Sequence, residues 1–375
     1  MIPTSTVSQQ AKIGLQLTGV WPNSSVLFKL LWTSIMIIAL IFQYRYVLYH
    51  FNTDDLPHLI DGLSTTVPYS LLFFKLIVLW IKNRVFIDIL TAMSKDWREC
   101  SSMHVMIDKA TLSHRCSKLI IGIYSTAVLL YSTASIDFRK NIDVCRELLV
   151  KMELPFVFCE SPTYEIVMFV QFIHLMAVSL IIGTIDTLIV TLMLHIGGQI
   201  DIILQQLNKI YPKDGEYGLP TGTAKSLIIK HYKIIDFSDS IENLFSLIAL
   251  MQFLSSIVIM CCIGFLVICT LGTDDGIRML IKTFFFYIAM TMESFIFCFA
   301  GEYLSNKSKT VGDAAYESLW YVLKPQDSRM LLLMIMRSQR RLTITAGKFM
   351  DLSLQGFMNS LKASASYISV LYAMY

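Results

Sequence analysis

The feature that most constrains this chain is a series of apolar runs, each about as long as a bilayer is thick. A hydrocarbon core about 30 Å across is crossed by roughly 20 apolar residues in a helix. Such runs fall near 27–49, 63–82, 118–136, 165–195, 243–271 and 277–302, and a last one covers about 350–375. Only 16% of the 375 residues are charged and 55% are hydrophobic, whereas a soluble domain carries about 25% charge. There is too little charge to clothe a water-facing surface of this size. The sequence therefore reads as an all-α membrane protein with seven transmembrane helices and the lipid bilayer as its solvent. The formal net charge of +3 gives no reason to expect a nucleic-acid partner.

Lysine and arginine are retained on the cytoplasmic side of short loops. At least seventeen lie on the amino-terminal side of the spans, among them Lys12, Lys82, Arg84, Lys209, Lys233 and Lys307. Four (Arg139, Lys140, Arg146 and Lys151) lie on the other. This asymmetry predicts an inverted topology, with the amino terminus inside and Tyr375 outside. The domains expected are a cytoplasmic tail, 1–26, and spans one to four, 27–195, with an extracellular loop at 137–164. They continue with a cytoplasmic connection, 196–242, spans five and six, 243–302, a cytoplasmic base helix within 303–349, and a pore-lining seventh span, 350–375. Spans four, five and six are expected to run past the bilayer as helices, and a single base helix is expected from Ala314 to Met336. The polar tail lacks a cleavable signal, so the first span is expected to act as a signal anchor.

Nothing points to catalysis, and no cofactor or metal is expected: GxSxG, HExxH and phosphate-binding glycine loops are absent, as are CxxC pairs. Ionisable residues within spans are functional candidates by default. Arg45 and Lys282 are placed to snorkel outward. Lys75 is expected to reach the cytoplasmic interface, and Asp186 and Glu293 to lie at or near the inner surface. His174, about 15 Å deep in span four, is left to line a ligand cavity or to bond between helices. Aromatic and sulfur side chains gather in the outer halves of four spans: Tyr69, Phe73 and Phe74; Tyr124, Val128 and Tyr131; Phe169, Phe172 and Met176; Phe284, Phe285 and Tyr287. They suit an apolar ligand cavity and equally ordinary helix packing. Cys145 and Cys159 share the long extracellular loop, where oxidation is permitted, and a disulfide between them is a hypothesis.

The last run is more informative. Gln355, Asn359, Lys362, Ser366, Ser369 and Ala373 recur at spacings that make one stripe along a helix. A hydrophilic stripe in a span faces protein or water, not lipid. A tight small-residue interface and one stave of a water-filled pore both satisfy that rule.

The carboxyl-terminal residues resemble the insect odorant receptor signature. They are Thr345-Ala346-Gly347-Lys348-Phe349, Ser353-Leu354, Phe357 and Ser366-Tyr367-Ile368-Ser369-Val370-Leu371. Cys298-Phe299-Ala300-Gly301-Glu302-Tyr303-Leu304-Ser305 and Ala315-Tyr316-Glu317-Ser318 with Trp320-Tyr321 are similar to it as well. Leu17-Thr18-Gly19-Val20-Trp21-Pro22 resembles the entry of hymenopteran members. The length is that of a tuning (ligand-binding) subunit.

The resemblance implies an odorant-gated, non-selective cation channel, assembled as a heterotetramer with the co-receptor and binding a small volatile organic ligand. It implies location in the plasma membrane of olfactory sensory neurons. It also implies gate positions at Val370 and Met374, which favours the pore reading of the stripe. Two departures stand out: Arg341, where the family often has proline, and Lys362, a positive charge on the stripe of a cation channel. The alternatives are a seven-span G-protein-coupled chemoreceptor and a gustatory receptor of the same superfamily. The first has the opposite orientation and DRY and NPxxY motifs absent here. The second usually reads Thr-Tyr where this chain has Ser366-Tyr367.

Overall fold

A computed structural model of the chain describes residues 5–22, 24–51, 56–100, 102–135, 147–208, 223–270, 276–318 and 320–374. The helices in chain order are α1 (Gln9–Leu17), α2 (Val26–Phe51), α3 (Leu56–Ile81), α4 (Asn83–Arg98) and α5 (Met103–Ser135). They continue as α6 (Thr163–Asn208), α7 (Thr223–Thr270), α8 (Gly276–Glu317), α9 (Pro325–Ser338) and α10 (Leu354–Met374). A short hairpin, β1 (Thr345–Ala346) with β2 (Met350–Asp351), precedes α10.

Among the described residues, six helices, α2, α3, α5, α6, α7 and α8, are long and apolar enough to cross a membrane. α10, with 21 residues, is about 30 Å long at 1.5 Å per residue. The most apolar stretch of α2 is only 22% buried, against 61% for α3, so α2 is peripheral and α3 central. Leu27, Leu30, Ile38 and Ile41 of α2 point outward, a surface that suits lipid rather than water. α3 keeps Pro68 inside its helix, which removes one backbone donor. One turn earlier, Thr65 and Thr66 return their hydroxyls to the Gly62 carbonyl at 3.0 and 2.8 Å, the local bonding that makes polar residues tolerable in hydrocarbon.

α6, α7 and α8 have 46, 48 and 42 residues, so each is roughly 60–70 Å long, twice the hydrocarbon thickness. Each of the three apolar runs continues as one helix well beyond the length a span needs. Their far halves pack with α1, α4 and α9 into a helical base. There Asp201 of α6 receives Lys109 of α5 at 2.9 Å and Lys307 of α8 at 2.6 Å. Fully buried His195 bridges Asp96 at 3.0 Å and Thr6 at 3.1 Å, and Trp97 donates to Thr6 at 2.8 Å. The amino-terminal segment is thereby pinned to α4 and α6.

The structure corrects two expectations. The single base helix over Ala314–Met336 is divided: α8 ends at Glu317, a 3-10 turn covers Trp320–Val322, and Pro325 starts α9. Proline fits a first helical turn and breaks an interior one. Lys75, Asp186 and Glu293 do not reach the protein surface. They are 0%, 0% and 2% exposed, because partners inside the bundle remove the need for water.

Candidate functional site

A cavity of about 80 Å³ lies between α3, α5, α6 and α8. Its wall is apolar: Pro68, Ala127, Val128, Val178, Ile182, Phe285, Phe286 and Met290. Tyr69, Tyr124, Tyr131, Thr65, Ser179 and Glu293 supply the polar atoms. This is the composition of a small-molecule site, an apolar cavity with a few polar handles.

The roof is the segment after α5. Leu148, Leu149 and Val150 are 5%, 1% and 2% exposed, so this loop dips into the bundle, and Val150 lines the cavity. Its backbone is held by side chains. Gln171 of α6 accepts from the Val150 N–H at 3.2 Å and donates to its carbonyl at 3.1 Å, and Tyr131 donates to the Leu149 carbonyl at 3.2 Å. Lys151 clasps Asp61 of α3 at 3.3 Å and Glu147 at 3.0 Å. Burial pulls the Lys151 ammonium down, but Asp61 and Glu147 outweigh it and hold its pKa above the usual lysine value. Burial likewise opposes ionisation of Glu147, yet Lys151 leaves that carboxyl below its usual range.

Charge gathers at the floor. The Lys75 ammonium of α3 pairs with Glu293 of α8 and lies 5.0 Å from the Phe297 ring centroid. Tyr124 of α5 donates to Asp186 of α6 at 2.6 Å. One layer thus ties four helices together. In an apolar interior a charge is stable only when paired and hydrogen-bonded, which explains why Lys75 and Glu293 occur at one depth.

The structure brings Tyr69, Tyr124, Val128, Tyr131 and Phe285 together on this cavity and disperses the other candidates. Phe169 and His174 line a separate groove between α2 and α6, of about 740 Å³. Phe284 and Tyr287 line a groove of about 940 Å³ between α7, α8 and α10. Phe73 and Phe74 pack against the hydrophobic core, and Phe172 and Met176 are half-buried on α6. Pro68, Val150, Glu293 and Phe286 also line the cavity and are not among the residues expected from sequence. Val150 sits in a loop with no helical period to place it, and Glu293 was assigned to an interface. Cys159 is disulfide-bonded; Cys145 lies outside the described residues, and so does the pairing hypothesised between them.

α10 has two distinct faces. Gly356, Ser360 and Ser364 are buried against α7 and α8, with the Cys261 thiol 3.6 Å from the Ser364 carbonyl. Gln355, Asn359, Lys362, Ser366, Ser369 and Ala373 are all exposed, and so is Val370. The Met374 side chain lies outside the described residues. The buried small-residue face is thus not the polar stripe but the face opposite it.

A sequence profile of the family described as 7tm Odorant receptor matches residues 55–365. The chain belongs to the insect odorant receptor family. Among relatives, Odorant receptor 22c of Drosophila melanogaster is 30% identical over 145 residues, 39% of this chain and 35% of its own length. Putative odorant receptor 92a of the same fly is 25% identical over 150 residues, 40% and 36% of the two chains. Odorant receptor 82a is 24% identical over 243 residues, 62% and 61%. The matched stretch thus spans about a third of the length of the first two relatives. The solved insect olfactory receptor OR5 from Machilis hrabei, in complex with eugenol, superposes with a TM-score of 0.80 over 98% of both chains at 12% identity. A second structure of OR5 gives 0.77 over 97%. At that identity the likeness establishes a common fold.

The receptor's signature residues have physical reasons in the structure. Ala346-Gly347-Lys348-Phe349 is a tight turn, closed by the Phe349 N–H on the Ala346 carbonyl at 3.1 Å. Gly347 and Lys348 have φ of +61° and +64°, as a type I′ hairpin turn requires. A Cβ on Gly347 would also meet the Leu250 side chain at 2.6 Å. Glu242 of α7 accepts from the Thr345 N–H at 2.8 Å and from its hydroxyl, and Gly347 donates to the Ser246 carbonyl at 2.9 Å. Gly301 of α8 lets the Leu352 carbonyl approach to where a Cβ would be 2.4 Å away. The motif is therefore a clamp that fixes the start of α10 against α7 and α8.

Proposed function

We propose that the receptor is a tuning subunit of an odorant-gated, non-selective cation channel, assembled with the co-receptor as a heterotetramer in the plasma membrane of olfactory sensory neurons. It crosses the membrane seven times, with its amino terminus inside. The observation that carries this reading is the exposed polar stripe of α10 beside exposed Val370. A span that buries its small residues and leaves Gln355, Asn359 and Lys362 open needs water or other protein on that side. A central conduit shared by four subunits supplies both. The OR5 neighbour, solved with eugenol, supports a small volatile ligand.

The ligand occupies the cavity between α3, α5, α6 and α8. At about 80 Å³ this cavity is well below the roughly 300–1,000 Å³ of drug-sized sites, so the ligand is small or displaces side chains on entry. Burying roughly 150 Å² of apolar surface supplies about 4 kcal/mol. One neutral hydrogen bond adds about 1 kcal/mol, enough to change potency several-fold. Tyr69, whose hydroxyl has no partner among the described residues, therefore decides selectivity among ligands of similar size.

Binding favours opening only by the ligand's greater affinity for the open state. α8 lines the cavity through Phe285–Glu293 and meets the α10 clamp through Gly301 and Glu302, so it carries the shift outward. Opening withdraws Val370 and Met374 from the axis and ends local dewetting. Co-expression with the co-receptor and an odorant panel tests this: ligand-evoked cation current is expected, and Val178→Trp, which fills the cavity, is expected to abolish it. Full responses from the filled variant would refute the site.

A further inference from the structure

The groove between α2 and α6 lies outside the candidate cavity. It is larger than the candidate cavity, about 740 Å³, and is walled almost wholly by apolar side chains, among them Trp32, Phe42, Phe169, Ile173 and Ala177. Phe169 and Ile173 are 64% and 51% exposed, so the groove opens on the surface the bilayer covers.

Groove and cavity share a wall. Tyr69 lines the cavity and His174 lines the groove, and their rings meet at 5.5 Å between centroids. Beside them, Gln171 on the groove side holds Val150 on the cavity side. Among the described residues, neither the Tyr69 hydroxyl nor His174 Nε2 has a hydrogen-bond partner, although both are buried. An unpaired buried polar atom costs about 1–3 kcal/mol, so polar groups left open on both sides of one partition mark a place where a polar ligand atom is received. The ring pair has no hydrogen bond holding it shut, and aromatic side chains turn without disturbing the backbone.

We propose that the α2–α6 groove is a membrane-side antechamber for the receptor's own ligand, a small apolar molecule with one hydrogen-bonding group, and that the Tyr69–His174 pair is the door to the cavity. The proposal rests on the cavity being the ligand site. A volatile, lipid-soluble molecule is concentrated in the bilayer before it meets the protein, and this groove is an apolar opening on that side that meets the cavity at the Tyr69–His174 pair.

The test uses straight-chain alcohols from butanol to octanol and their acetates, on the receptor co-expressed with the co-receptor, and follows current after rapid application and removal. A route residue alters arrival and departure together and leaves their ratio unchanged. Ile173→Trp, which narrows the groove at a position that lines the groove and not the cavity, is expected to slow activation and deactivation alike by roughly an order of magnitude, with the half-maximal concentration unchanged. Unchanged rates would overturn the proposal. A changed half-maximal concentration with unchanged rates would also overturn it and make the groove the seat of a lipid chain or modulator. Failure of the cavity itself shows differently, as normal responses from Val178→Trp. Occupancy is read without gating by quenching the purified receptor with bromo-octanol. The quenching is expected to be smaller in Trp32→Phe, and identical quenching in both proteins would overturn the antechamber.

Discussion

Lys75→Met tests the buried charge layer beneath the cavity. The ammonium is fully buried and its partner Glu293 has a side chain only 3% exposed. Removing the cation leaves the carboxylate in an apolar interior with no compensating charge. Breaking a buried pair on one side costs about 3–5 kcal/mol, and at about 1.4 kcal/mol per tenfold that is two to three and a half powers of ten in the folded population. Replacing the whole pair with apolar residues of similar volume is close to neutral, so Lys75→Met with Glu293→Leu is expected to recover most of the loss. Thermal melting of detergent-purified receptor, together with surface expression, reads both variants. The single change is expected to melt far below wild type, and the double change near it. Equal melting of the single variant and wild type, or equal loss in single and double variants, would refute a folded state that depends on this pair.

Gly301→Ala is expected to displace the α10 clamp, since its Cβ would stand 2.4 Å from the Leu352 carbonyl; loss of ligand-evoked current with protein still at the surface would show it. Lys151→Met is expected to release the roof and raise the half-maximal ligand concentration. For the intact clasp the signs are opposite. The depressed Glu147 contributes above its unfolded value and fails only as pH falls through its folded one, and the raised Lys151 contributes until pH exceeds its folded value. Potency is therefore expected to be flat from about pH 5.5 to 8.5, and a titration within that window would contradict the assignment. Val370→Ser is expected to raise current without ligand, because a polar side chain wets a constriction that a valine keeps dry. Lys362→Glu is expected to raise single-channel cation conductance by reversing a charge on the exposed stripe.

The helical layout was legible because span length acts over tens of residues. The polar stripe of α10 was equally legible, since a helix has one period and Gln355, Asn359 and Lys362 share it. The cavity was only half legible. Tyr69, Tyr124, Val128 and Tyr131 sit on faces that the bundle turns inward, but sequence position does not say which inward face meets which. Phe284 and Tyr287 therefore went with the cavity in sequence and to α10 in space, while Phe285 and Phe286 between them took the cavity wall. Lys75 and Glu293 were misplaced for a related reason: an ionisable residue in a span is sent to the interface unless its partner is known, and that partner lies on another helix. Pro325 was the readable signal for the broken base helix, and the tight turn at Gly347-Lys348 carried its own glycine.

The most direct test of the account is ligand-evoked cation current in cells co-expressing the receptor and co-receptor, recorded with G-protein cycling blocked. A channel gated by its own ligand keeps its current under that block. A current that disappears would contradict direct gating and return the chain to a G-protein-coupled reading.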